Sequence, residues 1–372
     1  MPLFTAPPAP RLARLVAPHR ETLAQRLARA ATPADRRVRS LLEAWFGRLP
    51  EATQTDVRSR LWERDRRLAL AAFWELYLHE LLLRLGYKPT PHPVLPAARP
   101  RPDFLAVGHG ESLYVEALVS GPPTEVWRAE RRLYPILDVL HEFARSGWFL
   151  TLGRVECGHS TPPLRDLRLV IAEWLETLTP EKDEARLEWR RNGWTVELRA
   201  TRSLPAPASD LPTSEPASAA SLRTLASKLQ AKAKRYHSLD FPLLLALCIS
   251  RPLSEATLAE SLPRFVAALP SWVMGVLVVS GLDPWTIART PLRLVRRGET
   301  PSHAASFFTA LERIGAHQLT PELMEIDEPW RIFDLWPHWP ADPVPRKSAE
   351  SPDDRRESEH THHSATAEHT EE

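Results

Sequence analysis

The chain has 372 residues, 43% of them apolar and 26% charged, enough for one large domain or two ordinary ones with a packed core. Its formal net charge is +1. No apolar run approaches the roughly 20 residues of a membrane span, and MPLFTAPPAPRLARLV has no signal-peptide core, so a soluble cytoplasmic protein without membrane contact is expected. With 13 glycines against 37 prolines and only two cysteines, the composition argues against a glycine-rich nucleotide cradle, a disulfide framework and a zinc cluster.

Residues 1–20, rich in proline, alanine and arginine, read as an extended arm. Helical spacing of apolar residues covers 21–47 and 53–86, broken near Leu49-Pro50. The run AAFWELYLHELLLRL (71–85) is apolar nearly all round, as in a helix buried on several sides, and Gly86 is its natural stop. Strands are expected at 87–94, 103–107 and 112–119, with 108–111 as a four-residue hairpin loop. A helix at 124–146, a strand at 148–157, a helix at 164–178 and a two-strand unit at 185–200 turning at Arg191-Asn192-Gly193 follow. The Pro/Ala/Ser-rich stretch 204–220 reads as a linker. A helix at 221–237, an apolar strand at 241–250, a helix at 254–268 and an apolar strand at 271–280 complete the ordered pattern. The acidic, histidine-containing end from 341 reads as disordered.

Charge is uneven. Residues 1–70 hold 14 arginines against 7 acids, a balance that suits a polyanion such as nucleic acid, or else describes solvated helix faces. Only six of the 48 basic residues are lysine, and three of them, Lys228, Lys232 and Lys234, fall in the helix at 221–237. Lysine offers a compact, tunable charge that arginine does not.

The hairpin carries a second signal. If Val107 pairs with Ser112, Asp103 stands directly opposite Glu116, with Cβ atoms about 5 Å apart on one face. Two opposed carboxylates repel. A hard divalent cation, a neighbouring arginine such as Arg101, or a raised pKa on one acid would each compensate.

The segment RPDFLAVGHGESLYVEAL resembles the metal-binding hairpin of the restriction-endonuclease-like PD-(D/E)xK nuclease superfamily, with Pro102-Asp103 as the PD and Glu116 as the (D/E). The resemblance implies an α/β fold: a core of helix, three-strand antiparallel sheet, helix and strand. A helical N-terminal extension and a large α+β insertion would be added to it. The corresponding segments are 1–34 (basic arm and first helix), 35–118 (helical extension and first half of the core), 119–220 (insertion and linker), 221–340 (second half of the core) and 341–372 (tail). It also implies Mg²⁺ or Mn²⁺ held by Asp103, Glu116 and the Ala117 carbonyl, with Glu75 of the first core helix positioning the hydrated metal. A carboxylate in so apolar a helix needs such a partner. The motif lysine is missing, since position 118 is leucine. In some branches of the superfamily the following helix supplies it, and Lys232, with Tyr236 one turn on, is the candidate. From about 35 to 340 the chain also resembles a group of uncharacterised bacterial proteins that share FWELYLHELLLRLGYKPTPHP, a KxxxY helix before an apolar strand, and VLVVSGLDPWTIARTPLRL.

Other constellations are weaker. His79 reads as a packed histidine, His92 as a strand terminator at the rim of the site, and His109 and Glu111 as a solvated hairpin tip. Trp330, Trp336 and Trp339 read as a cap on the core or as a protein-partner surface. The functional expectation is a Mg²⁺-dependent nuclease acting on nucleic acid, DNA in the first instance. Its alternative is an inactive nuclease-fold module that binds nucleic acid or a protein.

Overall fold

A computed structural model describes residues 1–5, 21–95, 101–122, 124–143, 148–179, 184–202, 219–237, 239–250, 254–298 and 305–341. The expected linker at 204–220 lies outside these residues apart from its last two, and so does the tail but for Ala341.

The chain opens with helices α1 (Leu23–Arg29), α2 (Pro33–Phe46), α3 (Glu51–Leu61) and α4 (Arg66–Arg84). Each of the two expected helical stretches is therefore split. The breaks follow from capping: Thr22 and Thr32 each form a reciprocal capping box with Gln25 and Asp35, and Asp65 caps α4. Eleven of the 19 residues of α4 are buried. It ends as expected at Gly86, whose φ of 84° suits glycine; the Gly86 and Tyr87 amides donate back to Leu83 and Leu82 in a Schellman turn. The first residues are not a free arm. Leu3 and Phe4 are buried, and their amides donate to the two oxygens of Glu43 at 2.9 and 2.8 Å.

Next come β1 (Lys88–Pro91), β2 (Phe104–Gly108) and β3 (Glu111–Ser120). After the 119–220 segment follow α7 (Ala219–Arg235), β7 (Leu243–Ile249), α8 (Glu255–Ala267), β8 (Val273–Ser280), β9 (Leu292–Arg296), α9 (Ala305–Arg313), β10 (His317–Gln318) and β11 (Leu323–Ile326). The main sheet has the order β1-β2-β3-β7-β8-β9-β11-β10. β3, β7 and β8 run parallel and every other pair is antiparallel. All seven residues of β7 are buried, as befits a central strand covered on both faces. Leu244, Ala246 and Cys248 join the core built by α2, α4 and α9, whereas Leu243, Leu245 and Leu247 join α7 and α8. The result is a mixed α/β architecture of helices, sheet, helices.

The intervening segment contributes α5 (Thr124–Glu142), β4 (Phe149–Glu156), α6 (Leu164–Glu176), β5 (Glu184–Arg191) and β6 (Trp194–Thr201). They form a separate sheet, β4-β6-β5, with its own core around Ile136, Ile171, Trp194 and Leu198. The tryptophan-rich end is a cap. Trp339 is buried, Trp330 and Trp336 pack on the main core, and the Trp336 indole donates to the Ala341 carbonyl at 2.9 Å. Trp330 and Trp336 remain partly exposed. No helix among the described residues is long and apolar enough to cross a membrane.

Candidate metal centre

The β2–β3 hairpin sets the site. Val107 pairs with Ser112, the expected register, but Gly108 also pairs with Glu111. The loop is thus two residues, His109 and Gly110, with φ of 53° and 78°, the type I′ geometry that matches strand twist. The four-residue loop is corrected without moving the register, because each added pair consumes one residue from either side. Glu111 is buried rather than solvated: it accepts from the Tyr87 hydroxyl and from the Ser306 amide at 3.2 Å.

One step beyond the Phe104–Val115 pair, the same register brings Asp103 opposite Glu116. Asp103 stands just before β2, where the β2–β3 ladder has ended, and Asp103 Oδ2 accepts from the Ala117 N–H at 2.7 Å. A strand residue's N–H and C=O point to the same side, so the Ala117 carbonyl also faces Asp103. Glu116 alternates to the face covered by α7, and its side chain is 3% exposed. There Lys232 Nζ makes an ion pair with Oε1, and the Tyr236 hydroxyl donates to Oε2 at 2.6 Å. The spacing i, i+4 on α7 puts both donors on one carboxylate. Leu118, in the place of the motif lysine, is partly buried against the α7 side of the core.

Glu75 projects from α4, on the other face of the sheet. Its partner is Arg60 of α3, which clamps the two carboxylate oxygens at 2.6 and 2.5 Å and also meets Asp56 at 2.6 Å. The expectation that a metal must satisfy Glu75 is corrected, since an arginine does so. That pairing, with the hydrogen bond to Glu75 as its main cause, raises the Arg60 pKa. Glu75, Asp56 and His92 present ligand atoms within 4.8 Å of one another. His92 has a φ of 46° at the end of β1, and its amide donates to the Asp103 carbonyl at 2.8 Å.

Among the described residues, the carboxylates of Glu116, Glu75 and Asp56 form ion pairs with Lys232 and Arg60, and Asp103 feels the Lys232 charge. Burial, then the charges of Glu116 and Glu75, push the Asp103 carboxyl up to about 8 from an ordinary 3.8, against the opposing pull of the Ala117 N–H and Lys232. The Tyr236 hydroxyl is likewise raised, by burial first and then by Glu116. Asp103 and Glu116, hard oxygen donors beside a strand carbonyl, are of the type a divalent cation such as Mg²⁺ or Mn²⁺ takes, and Asp56, Glu75 and His92 form a separate cluster that could hold a metal ion. Arg101, a proposed neutraliser, is exposed; its carbonyl accepts from Tyr236 at 3.3 Å, and the cation beside the pair is Lys232.

The remaining candidates sit elsewhere. His79 is buried near the Phe104 ring, and burial pulls its pKa down to about 4. Many arginines of residues 1–70 are spent inside the fold. Arg26 pairs with Asp35, Arg29 with Glu21 and Arg48 with Glu80, while Arg37 donates to the Pro340 carbonyl and Arg39 to that of Ala28. Arg60 was the functional neighbour that the sequence concealed, lying 15 residues and one interhelical turn from Glu75. No protein-family model, curated protein or solved structure matches the chain, and what the site can do is read from its own donors and charges.

Proposed function

We propose that the protein is a metal-dependent nuclease of the restriction-endonuclease-like type, hydrolysing phosphodiester bonds of nucleic acid, DNA in the first instance. The observation that carries the reading is the convergence of Lys232 and Tyr236 from α7 on Glu116, opposite Asp103. A two-carboxylate hairpin is thereby given the cation that Leu118 cannot provide. The order α4, β1-β2-β3, α7, β7 is the core order expected of that fold, and the 119–220 segment fits as an insertion between β3 and α7.

In this reading Asp103, Glu116 and the Ala117 carbonyl hold Mg²⁺ or Mn²⁺. When bound, the ion supplies Lewis-acid polarisation of a phosphoryl oxygen and lowers the pKa of water. The Ala117 N–H fixes the rotamer of Asp103, and Tyr236 fixes that of Glu116. Lys232, paired with Glu116 and one third exposed along its side chain, would meet charge as it develops on the phosphate oxygens. Arg60 holds the Glu75 carboxylate in place on the α4 side of the sheet, from which it would position the hydrated metal.

A second reading has its own observation. Both oxygens of Glu116 already have partners, as they would in a purely structural pair, and the protein would then be an inactive nuclease-fold module. Incubation of DNA and RNA with wild type, Glu116→Ala and Lys232→Ala in Mg²⁺ or Mn²⁺ separates the two. The nuclease reading expects cleavage by wild type and a loss of about 100-fold or more in each variant. Absence of cleavage by wild type, or cleavage that survives Glu116→Ala, would overturn it.

A further inference from the structure

Helix α7 does more than carry Lys232. Over Ala219–Arg235 its sequence holds Arg223, Lys228, Lys232, Lys234 and Arg235 and no aspartate or glutamate. Leu225, Leu229, Ala233 and Tyr236 form the stripe buried against the sheet. Lys228, Lys232 and Arg235 follow the spacing i, i+4, i+7 and share the flank beside that stripe. Lys232 sits at the boundary, with its Nζ turned inward to Glu116. Lys228 and Arg235 are exposed above and below it. Arg235 directly precedes Tyr236, whose hydroxyl donates to Glu116. Arg101 adds a third exposed cation next to the Asp103 strand, since its carbonyl is bonded by the same hydroxyl. Among the described residues no carboxylate lies within ion-pair distance of Lys228, Arg235 or Arg101.

This differs from the arginines of residues 1–70, many of which are bonded inside the fold. The dimensions also fit a polyanion. From Lys228 to Arg235 is two helical turns, about 10.5 Å at ~1.5 Å per residue. A B-form duplex rises about 3.4 Å per base pair along its axis, so the strip matches roughly three base-pair steps, with Lys232, the partner of Glu116, between its ends.

We propose that Lys228, Arg235 and Arg101 form a phosphate-backbone track that seats a nucleic acid strand across the Asp103–Glu116 site. The inference rests on the nuclease reading above for its choice of partner. The contacts are to phosphates, so they position the strand without reading its sequence. Lys234, on the opposite side of the helix, takes no part.

The test is fluorescence anisotropy of a labelled short DNA duplex, with its single strand and the matching RNA as parallel arms, in EDTA over a series of salt concentrations. The proteins are wild type, the double variant Lys228→Gln/Arg235→Gln, and Lys234→Gln as a control on the same helix. The exposed positions keep the fold intact, which circular dichroism verifies. The track predicts that the double variant binds about 10-fold more weakly at low salt and that its log–log salt slope is shallower by about two, while Lys234→Gln binds as wild type. The inference is overturned if wild type binds none of the three probes. It is equally overturned if the double variant keeps the wild-type affinity and slope, or if Lys234→Gln weakens binding as much. Cleavage is measured separately. If wild type binds through Lys228 and Arg235 and yet hydrolyses nothing in Mg²⁺ or Mn²⁺, the track stands and the nuclease reading alone falls.

Discussion

Replacing Asp103 by asparagine keeps the acceptor for the Ala117 N–H but deletes the charge opposite Glu116. In the metal-free protein this should stabilise the fold, and more so as pH rises. The unfolded carboxyl titrates near 3.8 and the folded one near 8. Between those values the folded state holds the extra proton, so wild-type stability falls as pH climbs through the window and levels off above it. At about 1.4 kcal/mol per unit, the whole shift would set a ceiling of about 6 kcal/mol. Asp103 is partly exposed, so about 2–3 kcal/mol is the expected part. Urea unfolding in EDTA at about pH 5 and about pH 9 measures it. Asp103→Asn should exceed wild type by less than about 1 kcal/mol at the lower pH and by about 2–3 kcal/mol at the higher. A stability difference that does not change with pH, or one that grows on acidification, would refute the claim that Asp103 is an unbalanced carboxylate. Excess Mg²⁺ should abolish the advantage of the variant, because only wild type gains a bound ion.

Other changes test the parts around it. Arg60→Ala leaves the Glu75 carboxylate without its clamp and should cost about 3 kcal/mol in chemical denaturation; adding Glu75→Gln, which removes the charge, should recover part of the loss. Tyr236→Phe removes one hydrogen bond to a buried carboxylate and should destabilise by roughly 1.5–3 kcal/mol. In cleavage assays Leu118→Lys should restore part of the activity lost in Lys232→Ala, since position 118 lies on the Glu116 face of β3; no recovery in a folded double variant would mean that the cation must approach from α7.

Much of the site was legible because it depends on local period and register. Pairing Val107 with Ser112 required only alternation and a turn, and it carried Asp103 to Glu116. The i, i+4 spacing of Lys232 and Tyr236 was visible, and so was the scarcity of lysine that made the helix stand out. The core strand β7 announced itself as an unbroken apolar run. What stayed hidden depended on long-range contacts between short polar groups. Nothing near Glu75 marks Arg60 as its partner, and nothing in MPLF shows that Leu3 and Phe4 dock under Glu43. The two-residue turn is not announced by its sequence because His109-Gly110 is not one of the Asn-Gly, Asp-Gly or Gly-Gly pairs that signal a type I′ turn. Strands β9, β10 and β11 are short and lie beyond the strongest apolar runs, so their pairing comes from the sheet edge they extend rather than from their own pattern.

The central claim is that Asp103 and Glu116 form a divalent-ion site, and a calorimetric titration of Mn²⁺ into wild type and Glu116→Ala at neutral pH addresses it most directly. Run in buffers of different ionisation enthalpy, the titration also counts protons. Wild type should bind the ion and release about one proton as Asp103 ionises, and Glu116→Ala should lose the binding. Equal binding by both proteins, or none by wild type, would contradict the account.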